Sequence, residues 1–380
     1  MANTVSIFAE RIFDGQNFLD QARLTINDGI VSSIDSHVER QAADLYCRGL
    51  LAPGFIDLQV NGGGGILLNS TPSLSGIQTI MAAHIKFGTT AMFPTLITDT
   101  VEVMESAADA IAQAISESVP GIVGVHFEGP HLSVEKKGAH SAEYIRPISV
   151  REWNILERKD LGQIIVTLAP ENVLPQDIAK MVELGIKVCL GHTNAKFETA
   201  QKAVIAGADG FTHLYNAMSP LAGREPGVVG CAFFNEHTAC GLIADGHHVD
   251  YSSCQIALKA KGKGKLFLVT DAMPPVGTNE QAFEFFDREV TLSDGKLTST
   301  TGELAGSVLD MATAVKNCHQ YMHVSLDESI RMASLYPAQY ANLVNEMGTL
   351  SIGSKANFVV LNHELSVEQT WIDGKKEFQQ

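Results

Sequence analysis

Short apolar runs recur along this chain, and most of them end in a polar residue able to do chemistry. The run 51–58 ends at Gln59 and Asn61, and 122–127 ends at Glu128. Residues 164–168 lead to Glu171, 186–190 to Gly191-His192, and 210–212 to His213. Residues 240–244 lead to Asp245 and His248, and 266–270 to Asp271, while 89–96 carries no obvious catalytic group. Most of these eight runs are followed by a helical pattern, at the spacing that βα units require. The pattern predicts an α/β protein built on a (β/α)8 TIM barrel. Such a barrel collects the ends of its strands at one face, where chemistry is placed.

The two ends of the chain read differently. Short alternating pieces near Val5 and Leu24 are punctuated by Asp14-Gly15 and Asp28-Gly29, both hairpin signals. The C-terminal piece has a strand pattern at 358–361 and a turn at Asp373-Gly374. One small β-sandwich assembled from both termini is expected, with residues 1–52 and 346–380 flanking a barrel over 53–345. Within the barrel, Ile77, Ile80 and Ile85, then Val101, Met104, Ala108, Ile111 and Ile115, follow the three-four spacing of helices with one buried face. A further helix is expected over 327–335, stopped near Pro337. The segment 272–306 breaks the βα rhythm and is read as a mobile excursion over the active-site face, a lid. Gly62-Gly63-Gly64-Gly65 lacks the Lys-Ser/Thr of a phosphate loop and is read as a flexible βα loop.

A net charge of -16 argues against nucleic acid or an anionic membrane as partner, and no apolar run is long enough to span a bilayer. Six scattered cysteines without a CxxC pair point to reduced thiols in a cytoplasmic protein rather than a disulfide framework.

Glu128, His192 and His213 are the candidate metal ligands. A catalytic zinc takes three nitrogen or oxygen ligands and leaves a position for water, and two histidines with one glutamate satisfy that need. The three lie far apart in sequence, so only convergence of strand ends could join them. Asp271 is the candidate general acid/base, since a carboxylate near a metal can take a proton from water and pass it to a leaving amine. An aspartate after a strand could instead cap a helix, but Met273-Pro274-Pro275 is a poor helix start.

These residues stand in a series of words: Pro53-Gly54-Phe55-Ile56-Asp57, His126-Phe127-Glu128-Gly129-Pro130, Lys136-Lys137-Gly138-Ala139-His140 and Gly191-His192-Thr193-Asn194-Ala195. The series continues with Thr212-His213-Leu214-Tyr215-Asn216-Ala217-Met218, Gly223-Arg224-Glu225-Pro226-Gly227, Ala244-Asp245-Gly246-His247-His248 and Val269-Thr270-Asp271-Ala272. In this ordered set the chain resembles the amidohydrolase superfamily and, within it, the N-acetylglucosamine-6-phosphate deacetylase family. Where many members of the superfamily carry an H-x-H pair, this chain has Gln59-Val60-Asn61. Neutral amides are poor ligands for a second cation, so the resemblance is to the one-metal branch.

The resemblance implies hydrolysis of N-acetyl-D-glucosamine 6-phosphate to acetate and D-glucosamine 6-phosphate, with one divalent ion per subunit. Zinc is the first choice, and Fe2+, Co2+ or Mn2+ could substitute. It further implies that His140 contacts the substrate near the scissile amide. Gln59, Asn61, Asn216, Ala217 and His248 would bind substrate, and Arg224 would reach the phosphate in the neighbouring subunit of a homodimer. The same words fit the C4 epimer, N-acetyl-D-galactosamine 6-phosphate. A cyclic-amide hydrolase of the superfamily is disfavoured by the missing H-x-H pair. A non-catalytic descendant of the fold is disfavoured because Glu128, His192, His213 and Asp271 are all present.

Overall fold

The computed structural model describes residues 4–42, 44–286, 288–300 and 302–380. Eight parallel strands form the barrel, in chain order: Phe55–Val60, Thr89–Ile97, Gly124–Glu128, Gln163–Leu168, Lys187–Leu190, Gly210–Phe211, Ala239–Leu242 and Leu266–Leu268. Each pairs with its sequence neighbour, and an isolated parallel bridge between Val60 and Ala272 joins the last strand back to the first. The strands are almost wholly buried because helices cover their outer face, which is why they read as continuous apolar runs rather than alternating ones. The expected helices are present as Leu74–Ile85 and Val101–Ser116, capped by Ser73 and Thr100 side chains that accept from Gly76 N and Val103 N.

Both termini contribute to one seven-stranded sheet, in which Leu45–Pro53 pairs with Phe358–Leu361 on one side and Thr4–Phe13 on the other. The sheet wraps over its own core of Ile7, Leu24, Leu51, Phe358 and Trp371, bringing Ile30 on its far edge into a bridge with Lys355. Asp28 and Gly29 both take positive φ between Phe18–Asn27 and Ile30–Asp35, the two-residue hairpin that their sequence signalled.

Three readings are revised. The apolar run 51–58 spans parts of two strands: the chain leaves the terminal sheet at Pro53, passes Gly54, and enters the barrel at Phe55. It stays apolar throughout because both cores bury it. The glycine run is not a loose loop. Gly62–Gly63 pairs with Ile66–Leu67, and a Cβ on Gly62 would lie 2.4 Å from the Ile66 carbonyl oxygen, so glycine is what permits the approach. The helix expected to stop near Pro337 ends instead at Ala333, and Pro337 lies in the first turn of the next helix, Leu335–Tyr340, where no helical N–H is needed.

The excursion after the last barrel strand carries a three-stranded antiparallel sheet, Ala282–Phe285, Arg288–Ser293 and Lys296–Ser299. Phe285, Val290 and Leu297 pack on Met273, Leu67 and Ile97 in a small core of their own, so the excursion covers the barrel mouth. No helix among the described residues is long and apolar enough to cross a membrane.

Candidate active site

Glu128 ends the third barrel strand, while His192, His213 and Asp271 lie just past the fifth, sixth and eighth. Glu128 Oε1 is 3.0 Å from His213 Nε2 and 3.2 Å from His192 Nε2, and the two Nε2 atoms are 3.0 Å apart. Ligand atoms about 2.1 Å from a tetrahedral metal lie about 3.4 Å from each other, so this trio fits a cation with a small outward adjustment. Burial opposes the charge on Glu128, but His192 and His213 outweigh it and hold the carboxyl well below its usual range. Burial likewise opposes a proton on His213, yet Glu128 prevails and raises its pKa.

For His192 and His140 the second ring nitrogen fixes the role of the first. His192 Nδ1 lies 2.9 Å from the Lys136 carbonyl oxygen, which can only accept. Nδ1 therefore carries the proton and Nε2 offers a lone pair to a metal. His140 is arranged the opposite way. The Thr98 backbone N–H donates to its Nδ1 at 3.3 Å, and Thr98 Oγ1 lies 2.9 Å from the same atom. Nε2 of a neutral His140 must then hold the proton. Burial and the nearby His192 push its pKa well down, so the ring stays neutral. Glu128, His140 and His192 also offer donor atoms all within 4.8 Å of one another. The protonated Nε2 of His140, 4.0 Å from Glu128 Oε2, makes it a hydrogen-bond donor to the site and not a ligand.

Asp271 is held by two amides. Gln59 Nε2 and Asn61 Nδ2 donate to its Oδ1 at 3.1 and 2.6 Å, which leaves Oδ2 for chemistry. Gln59 Nε2 also donates to Glu128 Oε1 at 3.1 Å. Burial, and then the charge of Glu128, raise the pKa of Asp271. The residues at the H-x-H position thus bind carboxylates. Gln59 is not among the residues that line the main cavity, and its amide is committed to Glu128 and Asp271. Asn61 does line the wall, and its buried Oδ1 has no partner among the described residues.

That cavity, about 430 Å³, is walled by Glu128, His140, His192, His213 and Asp271 at its floor. Asn216, Ala217 and His248 stand on the wall, and the excursion contributes Phe285 and Ala305. His248 Nδ1 is 2.6 Å from Asp245 Oδ2. Arg224 is exposed and does not line this chain's own cavity.

His192, His213 and Asp271 have φ of 46°, 31° and 53°, a left-handed backbone that costs a non-glycine residue about 1 kcal/mol or more. The fold makes room for one of these turns with Gly191, where a Cβ would come within 2.7 Å of Thr167 Cγ2. Sequence reasoning missed Thr98, which sits past the strand judged to carry no chemistry. It also assigned no role to Asp57 or Asp245. Thr98 and Asp57 meet partners from distant parts of the chain, which nothing local marks, whereas Asp245, already noted as the end of its run, pairs with His248 three residues on.

Residues 50–376 match the Amidohydrolase family. The N-acetylgalactosamine-6-phosphate deacetylase of Shewanella sp. is 46% identical over 379 residues, covering 97% of this chain and 96% of that protein. The N-acetylglucosamine-6-phosphate deacetylase of Haemophilus influenzae is 34% identical, covering 96% of this chain and 97% of that protein. The crystal structure of N-acetylglucosamine-6-phosphate deacetylase from Pasteurella multocida superposes with a TM-score of 0.94 at 35% identity, covering 98% of this chain and 99% of that one. The chain belongs to the amidohydrolase family, alongside these deacetylases.

Proposed function

We propose that this enzyme hydrolyses the acetamide of N-acetyl-D-glucosamine 6-phosphate, releasing acetate and D-glucosamine 6-phosphate. The observation that carries the chemistry is Asp271, aimed by two amides at the mouth of the Glu128–His192–His213 trio. The named activities of the relatives supply the substrate class.

A divalent cation held by Glu128, His192 and His213, zinc by preference with Fe2+, Co2+ or Mn2+ as substitutes, would polarise the acetamide carbonyl and bring the pKa of a water towards about 7. Asp271 takes a proton from the attacking water as the water oxygen adds to the carbonyl carbon. The Nε2–H of His140 donates to the carbonyl oxygen as negative charge builds there. Asp271 then returns the proton to the amide nitrogen, the C–N bond breaks, and acetate leaves. The raised pKa of Asp271 suits both duties, since the group must release its proton as readily as it takes it.

Asn216, Ala217 and His248 line the wall where the phosphorylated sugar would lie. Arg224, exposed on a loop of this chain, is assigned to the phosphate of a neighbouring subunit in a homodimer. A cytoplasmic setting accords with six buried, free cysteines.

One observation favours a second reading, the C4 epimer as substrate: the 46% identity to an N-acetylgalactosamine-6-phosphate deacetylase. Acetate release from the two epimers separates the readings. The residues of the hydrolytic step are tested by Asp271→Asn, which should lower release by about 10²–10⁴ while leaving bound metal in place.

A further inference from the structure

Asp57 is a carboxylate that the hydrolytic scheme leaves unused, yet it is 0% exposed in the first barrel strand. It lies at the seam where that strand meets the eighth. No continuous ladder joins these two strands. They meet at the single bridge between Val60 and Ala272, with Asp271 N donating to the Gln59 carbonyl at 3.0 Å. Beneath that bridge the Asp57 side chain stands in for the missing ladder. Its Oδ1 accepts from Gln59 N at 3.2 Å and Thr270 N at 3.3 Å, and its Oδ2 accepts from Thr270 Oγ1 at 2.5 Å. A backbone carbonyl has one oxygen and could not take all three donors; a carboxylate can.

The residue it grips is the neighbour of Asp271. Thr270 is held on every polar atom: N and Oγ1 by Asp57, and its carbonyl by Ser307 Oγ at 2.6 Å. Ser307 N also donates to the Asp271 carbonyl at 2.9 Å. Asp271 itself has a φ of 53°, a conformation that persists only where the surroundings over-determine it. The same Asp57 carboxylate fixes the backbone of Gln59, whose amide donates to Asp271 Oδ1. Both routes from Asp57 therefore end on Asp271.

We infer that Asp57 is a positioning residue for hydrolysis: through Thr270 and Gln59 it locks the strained turn that aims the Asp271 carboxylate. This rests on the assignment of Asp271 as the acid/base. A role confined to closing the barrel would not be felt specifically by Asp271, and that difference is measurable.

The test compares kcat, KM and metal content of the metal-loaded full chain for Asp57→Asn and Thr270→Val, each alone and combined with Asp271→Asn. Partners of this kind are worth about 10- to 100-fold in activity. The expected result is a loss of kcat of at least about tenfold in each single variant, with KM and metal content held within about twofold. Neither change should lower the residual rate of Asp271→Asn any further. Thr270→Val keeps the side-chain shape and removes one donor, so it decides the matter should Asp57→Asn fail to fold. Unchanged kcat in Thr270→Val, loss of metal in place of kcat, or an equal further loss in the Asp271→Asn background would overturn the inference. Full turnover by Asp271→Asn alone would instead overturn the assignment of Asp271.

Discussion

His140 and His192 lie with ring centroids 4.3 Å apart at an interplanar angle of 60°, yet they carry their protons on opposite nitrogens. The Lys136 carbonyl draws the proton of His192 to Nδ1, and the Thr98 N–H keeps that of His140 on Nε2. Two adjacent histidines are thus set up differently, His192 with an Nε2 lone pair and His140 with an Nε2–H. His192→Asn should therefore strip bound metal from the purified protein. His140→Asn should keep its metal and lose turnover by about 10²–10³, the scale for removing one donor to a developing oxyanion. Metal analysis beside kcat checks the division, and metal loss in His140→Asn would contradict it.

Asp271→Asn removes the carboxylate that Gln59 and Asn61 hold beside the trio. Turnover should fall by about 10²–10⁴ with metal content unchanged. Normal turnover in this variant would remove Asp271 from the reaction.

Asp245 bears on binding more than on chemistry. Burial works against its charge, but the hydrogen bond to His248 wins and its pKa is lowered. The anion anchors the His248 ring at the cavity wall, where its other nitrogen can meet a substrate oxygen. Asp245→Asn should raise KM about tenfold, the worth of a hydrogen bond to a charged group, while kcat changes little. A fall in kcat with KM unchanged would place Asp245 elsewhere in the mechanism.

Asp57 predicts a pH dependence of stability. Burial pushes its pKa up from 3.8 to about 7. Between those values the folded chain binds a proton that the unfolded chain has released. The associated stability is fully present below 3.8 and is lost as pH rises through about 7, at roughly 1.4 kcal/mol for each pH unit in between. Asp57→Asn has no such proton to lose. Denaturant unfolding at pH 5 and pH 8 should show wild type losing ground to Asp57→Asn at the higher pH. A difference between the two proteins that is independent of pH would contradict the raised pKa.

What could be read from the sequence divides along physical lines. The barrel was legible because strands buried on both faces must be apolar from end to end, and Glu128, His192, His213 and Asp271 stood out as the polar residues that stop them. The Asp28-Gly29 hairpin was legible because few residues tolerate positive φ at both turn positions. The run 51–58 was read as one strand because burial in two different cores produces the same hydrophobicity. The parts that aim the site left no such mark. Lys136 acts through its carbonyl and Thr98 through its N–H, which every such residue has. Gln59 was expected to face the sugar because nothing in its own strand reveals that two carboxylates, 69 and 212 residues away, claim its amide.

The most direct measurement is acetate released from N-acetyl-D-glucosamine 6-phosphate and from its galacto epimer, by protein loaded with a measured amount of divalent metal. Acetate and free amino sugar 6-phosphate are expected in equal amounts from the gluco compound, with full activity at one metal per chain and loss of both products in Asp271→Asn. Acetate from the galacto compound alone would keep the chemistry and change the sugar. No acetate from either epimer, or a requirement for two metals per chain, would contradict the proposed hydrolysis at a single-metal site.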